Sequence, residues 1–424
     1  MARITILAVG SRGDIQPGVT VGVELKAAGH TVTVATHQLF ESFVRSYGLN
    51  FTPLCGDPEY WHSGKEWTDT KGQGFDWIRA NSQRIVEMGR RYLDDLWNAC
   101  QGADAIFWHP LALVCDRMAQ ALGIPSFALA PAPATPTRAF ACPWVSGLFV
   151  DGPEFYNRLS WGATYQFYWH VVRGGVNSWI EETLGLPGYS ILGPYHDMVV
   201  QKRLKVFYAY SPALLPKPKD WLDTMHVTGF LSLDRPSSWE PPQDLVDFLD
   251  AGSPPVFVGF GSMRSRNPDV MTELILEALA QTGQRGILAT GWGAIANTDL
   301  PDTVFQIDSV PHDWLFPKVA AVVHHGGPGT VAMVLRAGVP MVVVPFFGDH
   351  FLWANQITKL RLGSSVFKHQ LTVDRLSAAI SSVVSDEVLK ARVRTFSQTI
   401  QSENASKYIV DRFHQYFDNP AKIA

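Results

Sequence analysis

The chain has 424 residues, more than one ordinary hydrophobic core can organise, so two domains are the first expectation. Hydrophobic residues make up 46% and charged residues 17%, with a net charge of −4. That balance suits large buried cores and excludes the concentrated Lys and Arg surface that nucleic acid requires. The four cysteines, Cys55, Cys100, Cys115 and Cys142, form no C-x-x-C pair, which leaves no zinc or redox motif and implies reduced, buried thiols.

The N-terminus runs straight into Ile4, Ile6, Leu7 and Val9, an apolar stretch too short and too early for a signal peptide. No run approaches the roughly 18 apolar residues of a membrane span, so a cytoplasmic protein is expected. Arg3–Val9, Thr31–Thr36, Ala103–Trp108 and Pro125–Ala130 read as buried parallel strands, apolar almost throughout. Between the first two lies Gly18–Gly29, helical in pattern and stopped by Gly29. Strands alternating with helices predict a parallel sheet covered on both faces.

Residues 131–200 break this rhythm with a dense aromatic set, including Phe140, Trp144, Phe149, Phe155, Tyr156, Trp161, Tyr165, Phe167, Tyr168, Trp169 and Trp179. Such rings suit a flat apolar acceptor or, equally, helical core packing. The Pro- and Ser-rich stretch Leu233–Pro242 reads as an interdomain linker. Beyond it the alternation restarts, with strands expected at Pro255–Phe260, Gly286–Thr290, Val304–Ile307, Ala320–His324 and Val339–Val344. Helices fit around Pro268–Gln281, Gly329–Ala337 and His350–Leu360, and residues 372–417 are helical by composition. The division is therefore an N-terminal domain over 1–232, a linker over 233–252, a C-terminal domain over 253–400, and a final helix over 401–424 that packs back on the N-terminal domain.

Ligands of open α/β sheets bind beyond the carboxyl ends of the strands. Three such exits carry chemistry. Gly10-Ser11-Arg12-Gly13-Asp14-Ile15-Gln16-Pro17 follows the first strand and can aim Asp14 into a cleft; the competing role for Asp14 is capping the next helix. A nicotinamide site is disfavoured, because G-x-G-x-x-G is absent and the second strand ends in Thr36 and His37 rather than an acid. His324-His325-Gly326-Gly327-Pro328-Gly329-Thr330 offers bare backbone N–H groups at a helix N-terminus, suited to a diphosphate, and lacks the Gly-Lys-Ser/Thr of a Walker loop. Pro345–His350 leaves the next strand on the same side, where Asp349 and His350 can meet sugar hydroxyls or, for Asp349, cap a helix.

Together these segments resemble the inverting UDP-glycosyltransferases of GT-B architecture, two Rossmann-like domains facing across a cleft. Within that family the chain is most similar to the sterol glucosyltransferases and to bacterial enzymes that glycosylate antibiotics and lipids. The resemblance rests on Gly10–Pro17, on Phe257–Met263, and on the run from Ser309 to Trp353 containing Val310-Pro311-His312-Asp313-Trp314-Leu315-Phe316-Pro317. It implies an enzyme moving a hexose, glucose first, from a UDP-sugar to a hydroxyl of a sterol, polyketide, polyphenol or hydroxylated lipid. It also implies that Asp14 is the base. The donor-binding residues it implies are Ser11, Arg12, Gly13, Ser262, Val310, His325, Gly327, Gly329, Thr330, Asp349 and His350. His350 stands where the family usually carries Gln, and Ser309 where plant relatives place a stacking Trp, which leaves a dTDP-sugar open beside UDP. With no D-x-D motif, the expectation is metal-independent transfer without a cofactor, the sugar nucleotide being a co-substrate. Peripheral contact with a membrane is compatible with an apolar acceptor. The alternatives are a nucleotide-sugar epimerase of the same architecture and a non-catalytic partner of another transferase. His30, His37, His62 and His109 share Asp14's half of the chain, and the sequence singles out none of them as its partner.

Overall fold

Four of the five residues of Arg3–Leu7 (β1) are buried, which a strand achieves only when both faces of its sheet are covered. The same holds for Ala105–Trp108 (β4), Val256–Gly259 (β8) and Ala321–His324 (β11), each buried throughout. A computed structural model describes residues 1–56, 89–145, 152–236, 238–263, 265, 267–296 and 300–418. It contains two all-parallel sheets.

The first sheet joins β1 and β4 to Thr31–His37 (β2), Asn50–Leu54 (β3), Ser126–Ala130 (β5), Val206–Tyr208 (β6) and Met225–Val227 (β7). Its order is β3-β2-β1-β4-β5-β6-β7. The second joins β8 and β11 to Gly286–Ala289 (β9), Val304–Ile307 (β10), Met341–Val343 (β12) and Gly363–Ser365 (β13), in the order β10-β9-β8-β11-β12-β13. Both orders reverse direction once, between β1 and β4 in one sheet and between β8 and β11 in the other. At a reversal the flanking loops leave to opposite sides and open a crevice, where doubly wound sheets take their ligands. The register places Leu7 beside Trp108 and His324 beside Gly259, so the residues that follow each pair stand at the two crevices.

Strands expected from apolar runs are present, each shorter by up to two residues at an end, except β10, which coincides, and β2, which extends through His37. β3, β6, β7 and β13 were not anticipated. Three of them are only three residues long, and Asn50–Leu54 is largely unburied, so none makes an apolar run of useful length. The first helix is the larger correction. It begins at Arg12 rather than Gly18 and carries Pro17 within it. Pro17 falls in the opening turns, where the backbone N–H that a proline lacks is least needed. Arg12, Gly13 and Asp14 therefore belong to a helix N-terminus rather than to an open loop.

The aromatic stretch is mostly one helix, Glu154–Trp179. Trp161, Trp169 and Trp179 point into the core with Phe140, and Tyr165 stacks on Tyr195 at 4.9 Å. Trp144, Phe155, Phe167 and Tyr168 face outward. Phe149 and His62 lie outside the described residues. Residues 243–250 of the span between the sheets form a helix, and Ala405–Asp418 returns to the first sheet, where Phe413 meets Phe107 and Phe127, each at 5.7 Å. One apolar core runs through both halves, from Trp108 and Tyr210 to Trp353 and Leu352. Among the described residues no helix is long and apolar enough to cross a membrane.

Candidate active site

At the first crevice the carboxylate of Asp14 is fixed from two sides. Its Oδ2 accepts the backbone N–H of Ser11 at 2.8 Å and the Ser11 hydroxyl at 3.0 Å, so Asp14 does cap its helix. The other oxygen, Oδ1, faces His109 Nε2 at 3.5 Å. His109 leaves the end of β4, is buried, and its Nδ1 accepts the N–H of Leu111 at 3.3 Å. With Nδ1 thus an acceptor, the ring's proton sits on Nε2 and is directed at Asp14. Capping is therefore compatible with access to the carboxylate, since the Asp14 side chain remains 31% exposed.

Gly10 permits this arrangement. Its φ is +124°, and a Cβ there would fall 2.4 Å from Asp14 Oδ2. His37 Nε2 accepts the Gly10 N–H at 3.3 Å, which gives the end of β2 a structural task in place of ribose binding. Burial pushes the Asp14 carboxyl up, but the interaction with His109 and both Ser11 bonds outweigh it and hold the group below its ordinary range. Beneath it lies a cavity of about 10 Å³ between Ile6, Ala8, Gly18, Trp108 and His109, close to the room one water needs. Arg12 turns away; its guanidinium lies 3.3 Å from the centre of the Phe43 ring and bonds Gln16. Gly13 lies in the first helical turn beside Ser11.

At the second crevice, β11 ends in His324, His325 follows it, and Gly327 caps the helix Pro328–Ala337. His324 is spent on the loop itself, its Nδ1 accepting the Gly326 N–H at 3.1 Å. His325 is buried, and its Nδ1 has no hydrogen-bond partner among the described residues. A Cβ at Gly327 would collide with His325 Nε2 at 2.4 Å, so only glycine allows the ring to lie there. Burial, and then the charge of His312, lower His325 from 6.5 to about 4, which leaves it a neutral hydrogen-bonding group at pH 7. Gly329 and Thr330 occupy the first turn, where N–H groups have no partner within the helix. Ser262 is half-buried after β8 on the other side of the crevice. Val310 sits in the core, so its side chain is committed to packing and only its main chain is free to face a base.

Asp349 and His350 open the helix His350–Lys359, and the His350 ring meets His325 edge-on at 4.8 Å. Asp349 is buried, and Trp353 Nε1 donates to its Oδ2 at 2.8 Å. Burial raises its carboxyl from 3.8 to about 7, the Trp353 bond opposes this, and the negative charge of Asp14 raises it further. That last influence crosses between the sheets: the two carboxylates lie in one cleft. Trp144 also bridges it, its ring 3.6 Å from where a Cβ on Gly348 would be. The structure therefore brings together Ser11, Asp14, Asp349, His350, His325, Gly327, Gly329 and Thr330, while the Val310 side chain is held in the core; Arg12 lies over Phe43, near enough for its charge to add to the burial that lowers His312. His109 was one of four histidines that the sequence could not tell apart, and Trp353 had no role assigned, because a single His after an apolar strand and a single Trp in a helix carry no spacing signal.

Comparison with known proteins places these crevices in context. Residues 4–141 match the glycosyltransferase family 28 N-terminal domain, and residues 274–415 match the erythromycin biosynthesis protein CIII-like C-terminal domain. A sterol 3-beta-glucosyltransferase of Arabidopsis thaliana is 35% identical over 434 residues, covering 98% of this chain and 68% of that protein. One from Cryptococcus neoformans is 34% identical over 97% of this chain, which spans 27% of the fungal protein's length. Among solved structures, the glycotransferase of kitacinnamycin superposes with a TM-score of 0.73 at 21% identity, covering 98% of this chain and 99% of that one. That likeness shows the GT-B fold. With the end-to-end similarity to the plant protein, it shows that this chain belongs to the glycosyltransferase family that includes the sterol 3-beta-glucosyltransferases.

Proposed function

We propose that the protein transfers glucose from UDP-glucose to the hydroxyl of an apolar, sterol-like alcohol, with inversion at the anomeric carbon. The observation that carries this reading is the approach of the two sheets' strand exits, where Trp144 of one half lies against Gly348, next to Asp349, of the other, and where the charge of Asp14 raises Asp349. In the reaction Asp14 Oδ1 takes the proton of the acceptor hydroxyl as its oxygen bonds C1 of the sugar. The bond from C1 to the diphosphate oxygen breaks on the opposite face, and its electron pair leaves with UDP. Asp14, held below the ordinary carboxylate range, is a weak base, so the step needs proton transfer and C–O bond formation to proceed together. His109 keeps the carboxylate ionised and its Oδ1 aimed. The leaving diphosphate meets the N–H groups of Gly329 and Thr330, the helix dipole and neutral His325, a donor set that needs no metal. The sterol names of the relatives support the acceptor class, as do the outward rings Trp144 and Phe347 at the cleft.

The test is product formation by mass spectrometry, with UDP-glucose or dTDP-glucose against a sterol, a polyphenol and a hydroxylated lipid, in chelator throughout. A glucosylated sterol is expected, with nucleotide release only when acceptor is present. Asp14→Asn is expected to lower kcat by roughly 10²–10⁴-fold with UDP affinity unchanged. Nucleotide turnover without acceptor, or near-wild-type transfer by Asp14→Asn, sinks the reading.

A further inference from the structure

Trp353 is 0% exposed, yet its polar edge is not left idle in the core: Nε1 donates to Asp349 Oδ2 at 2.8 Å, one helical turn back. That donor, with a backbone hydrogen bond from Asp349 itself, fixes the rotation of the carboxyl and so sets how it meets an incoming hydroxyl. What fixes Trp353 in turn comes from the other half of the molecule. Its ring lies 5.4 Å from that of Tyr210, which follows β6 of the first sheet and is 0% exposed. Tyr210 rests on Tyr208 at 5.7 Å, Tyr208 stacks on Trp221 at 4.3 Å, and the Tyr208 hydroxyl bonds Thr135 Oγ1. A column of packed rings thus reaches from the interior of the N-terminal sheet to a carboxylate of the C-terminal one. The Tyr210 hydroxyl has no hydrogen-bond partner among the described residues, so it is the ring that Trp353 feels.

We propose that Trp353 is a positioning residue for Asp349, held by Tyr210 of the opposite domain, so that the contact to the donor's sugar is completed by both halves of the molecule. This rests on the reading of Asp349 as the group that meets the sugar of UDP-glucose. The nucleotide itself is gripped elsewhere, by Gly327–Thr330 and His325, and among the described residues the ring contacts of His325 are with His324 and His350, not with this column. Damage to the column therefore weakens the sugar contact and spares the nucleotide, whereas a purely structural role for Trp353 would weaken both.

The experiment compares the KM for UDP-glucose with the inhibition constant of UDP in the full chain. Trp353→Phe keeps the ring and removes the donor; it is expected to raise the KM about tenfold, the scale of one hydrogen bond to a charged group, with UDP inhibition within about twofold of wild type. Tyr210→Leu removes the support from a sheet that does not bind the nucleotide, and the same split is expected at smaller size. Tyr210→Phe, which keeps the ring, is expected to be silent. A wild-type KM in Trp353→Phe overturns the proposal, and so does a parallel loss of UDP affinity. Should Trp353→Phe fail to fold, Tyr210→Leu decides: an unchanged KM refutes the role. Failure of wild-type protein to turn over UDP-glucose at all would strike the proposed function instead.

Discussion

Two carboxylates in one cleft have been pushed in opposite directions, and the difference is what each side chain touches. Asp14 is surrounded by donors, the N–H and hydroxyl of Ser11 and the Nε2 of His109, and stays ionised at neutral pH. Asp349 is carried to about 7 chiefly by burial, with the charge of Asp14 adding to it and the Trp353 and backbone hydrogen bonds opposing. Near that pH it is divided between a neutral acid and a carboxylate, and only the carboxylate accepts hydroxyls on both oxygens. The ratio of the KM for UDP-glucose to the UDP inhibition constant is therefore expected to fall as pH rises from 6 to 8. Asp349→Asn should flatten that ratio, and a flat wild-type profile would place the titration elsewhere. The same burial has a cost in stability. A carboxyl whose folded pKa lies above its unfolded one holds a proton only in the fold between about 4 and 7, so its contribution declines as pH rises through that window. Sequence reading found Asp14, His325 and Asp349 because glycine-rich strand exits mark the positions where backbone donors and polar side chains converge. It could not find His109, which depends on the β1–β4 neighbourhood, a pairing across 101 residues between Leu7 and Trp108 that no local pattern encodes.

Elements matter here through where they end. The helix Arg12–Ala27 begins six residues before its apolar pattern does, because Ser11 and Asp14 satisfy its first N–H groups and Pro17 is tolerated near the start. A pattern of buried positions reports a helix's middle, and capping reports its beginning. The helix Ala405–Asp418 shows a second dependence. Besides Phe413 it is anchored by His226, whose Nε2 meets the Tyr416 hydroxyl at 2.9 Å and whose Nδ1 meets that of Tyr408 at 3.0 Å, and by His414 against His30 at 2.8 Å. Burial, then the charges of Arg412 and Lys217, depress His226 from 6.5 to about 4. A histidine lowered in the fold stabilises it fully above the unfolded value and loses that contribution as pH falls through the folded one. The Tm is accordingly expected to drop between pH 6.5 and 4, and His226→Gln, which cannot take a charge there, to drop less steeply. Equal slopes in the two proteins would remove His226 from the account.

The molecule as a whole is joined by more than its chain. A single apolar core includes Trp108 and Tyr210 from one half and Trp353 and Leu352 from the other, and Arg235 bonds Asp313 at 2.6 Å beside it. Thermal unfolding is therefore expected to be one transition, with saturating UDP raising the Tm of the entire chain. At a hundredfold excess over Kd the gain is about 2.7 kcal/mol. Two separate transitions, only the later one moved by UDP, would show that the halves melt independently. The α/β class and the two-sheet plan were legible from the restarted alternation of strands and helices after residue 253. The strand orders were not, since β3, β7 and β13 are too short or too exposed to announce themselves.

Those orders have a consequence for how such a molecule can vary. Each sheet reverses near its middle, so the margins β3, β7 and β10 stand at least two strands from the reversal, while β13 borders β12, whose exit carries Asp349. Material grafted onto a margin changes size and outward surface while the geometry at the reversal stays as it was. In the fungal relative this chain spans 27% of the length, and the rest lies outside the matched region.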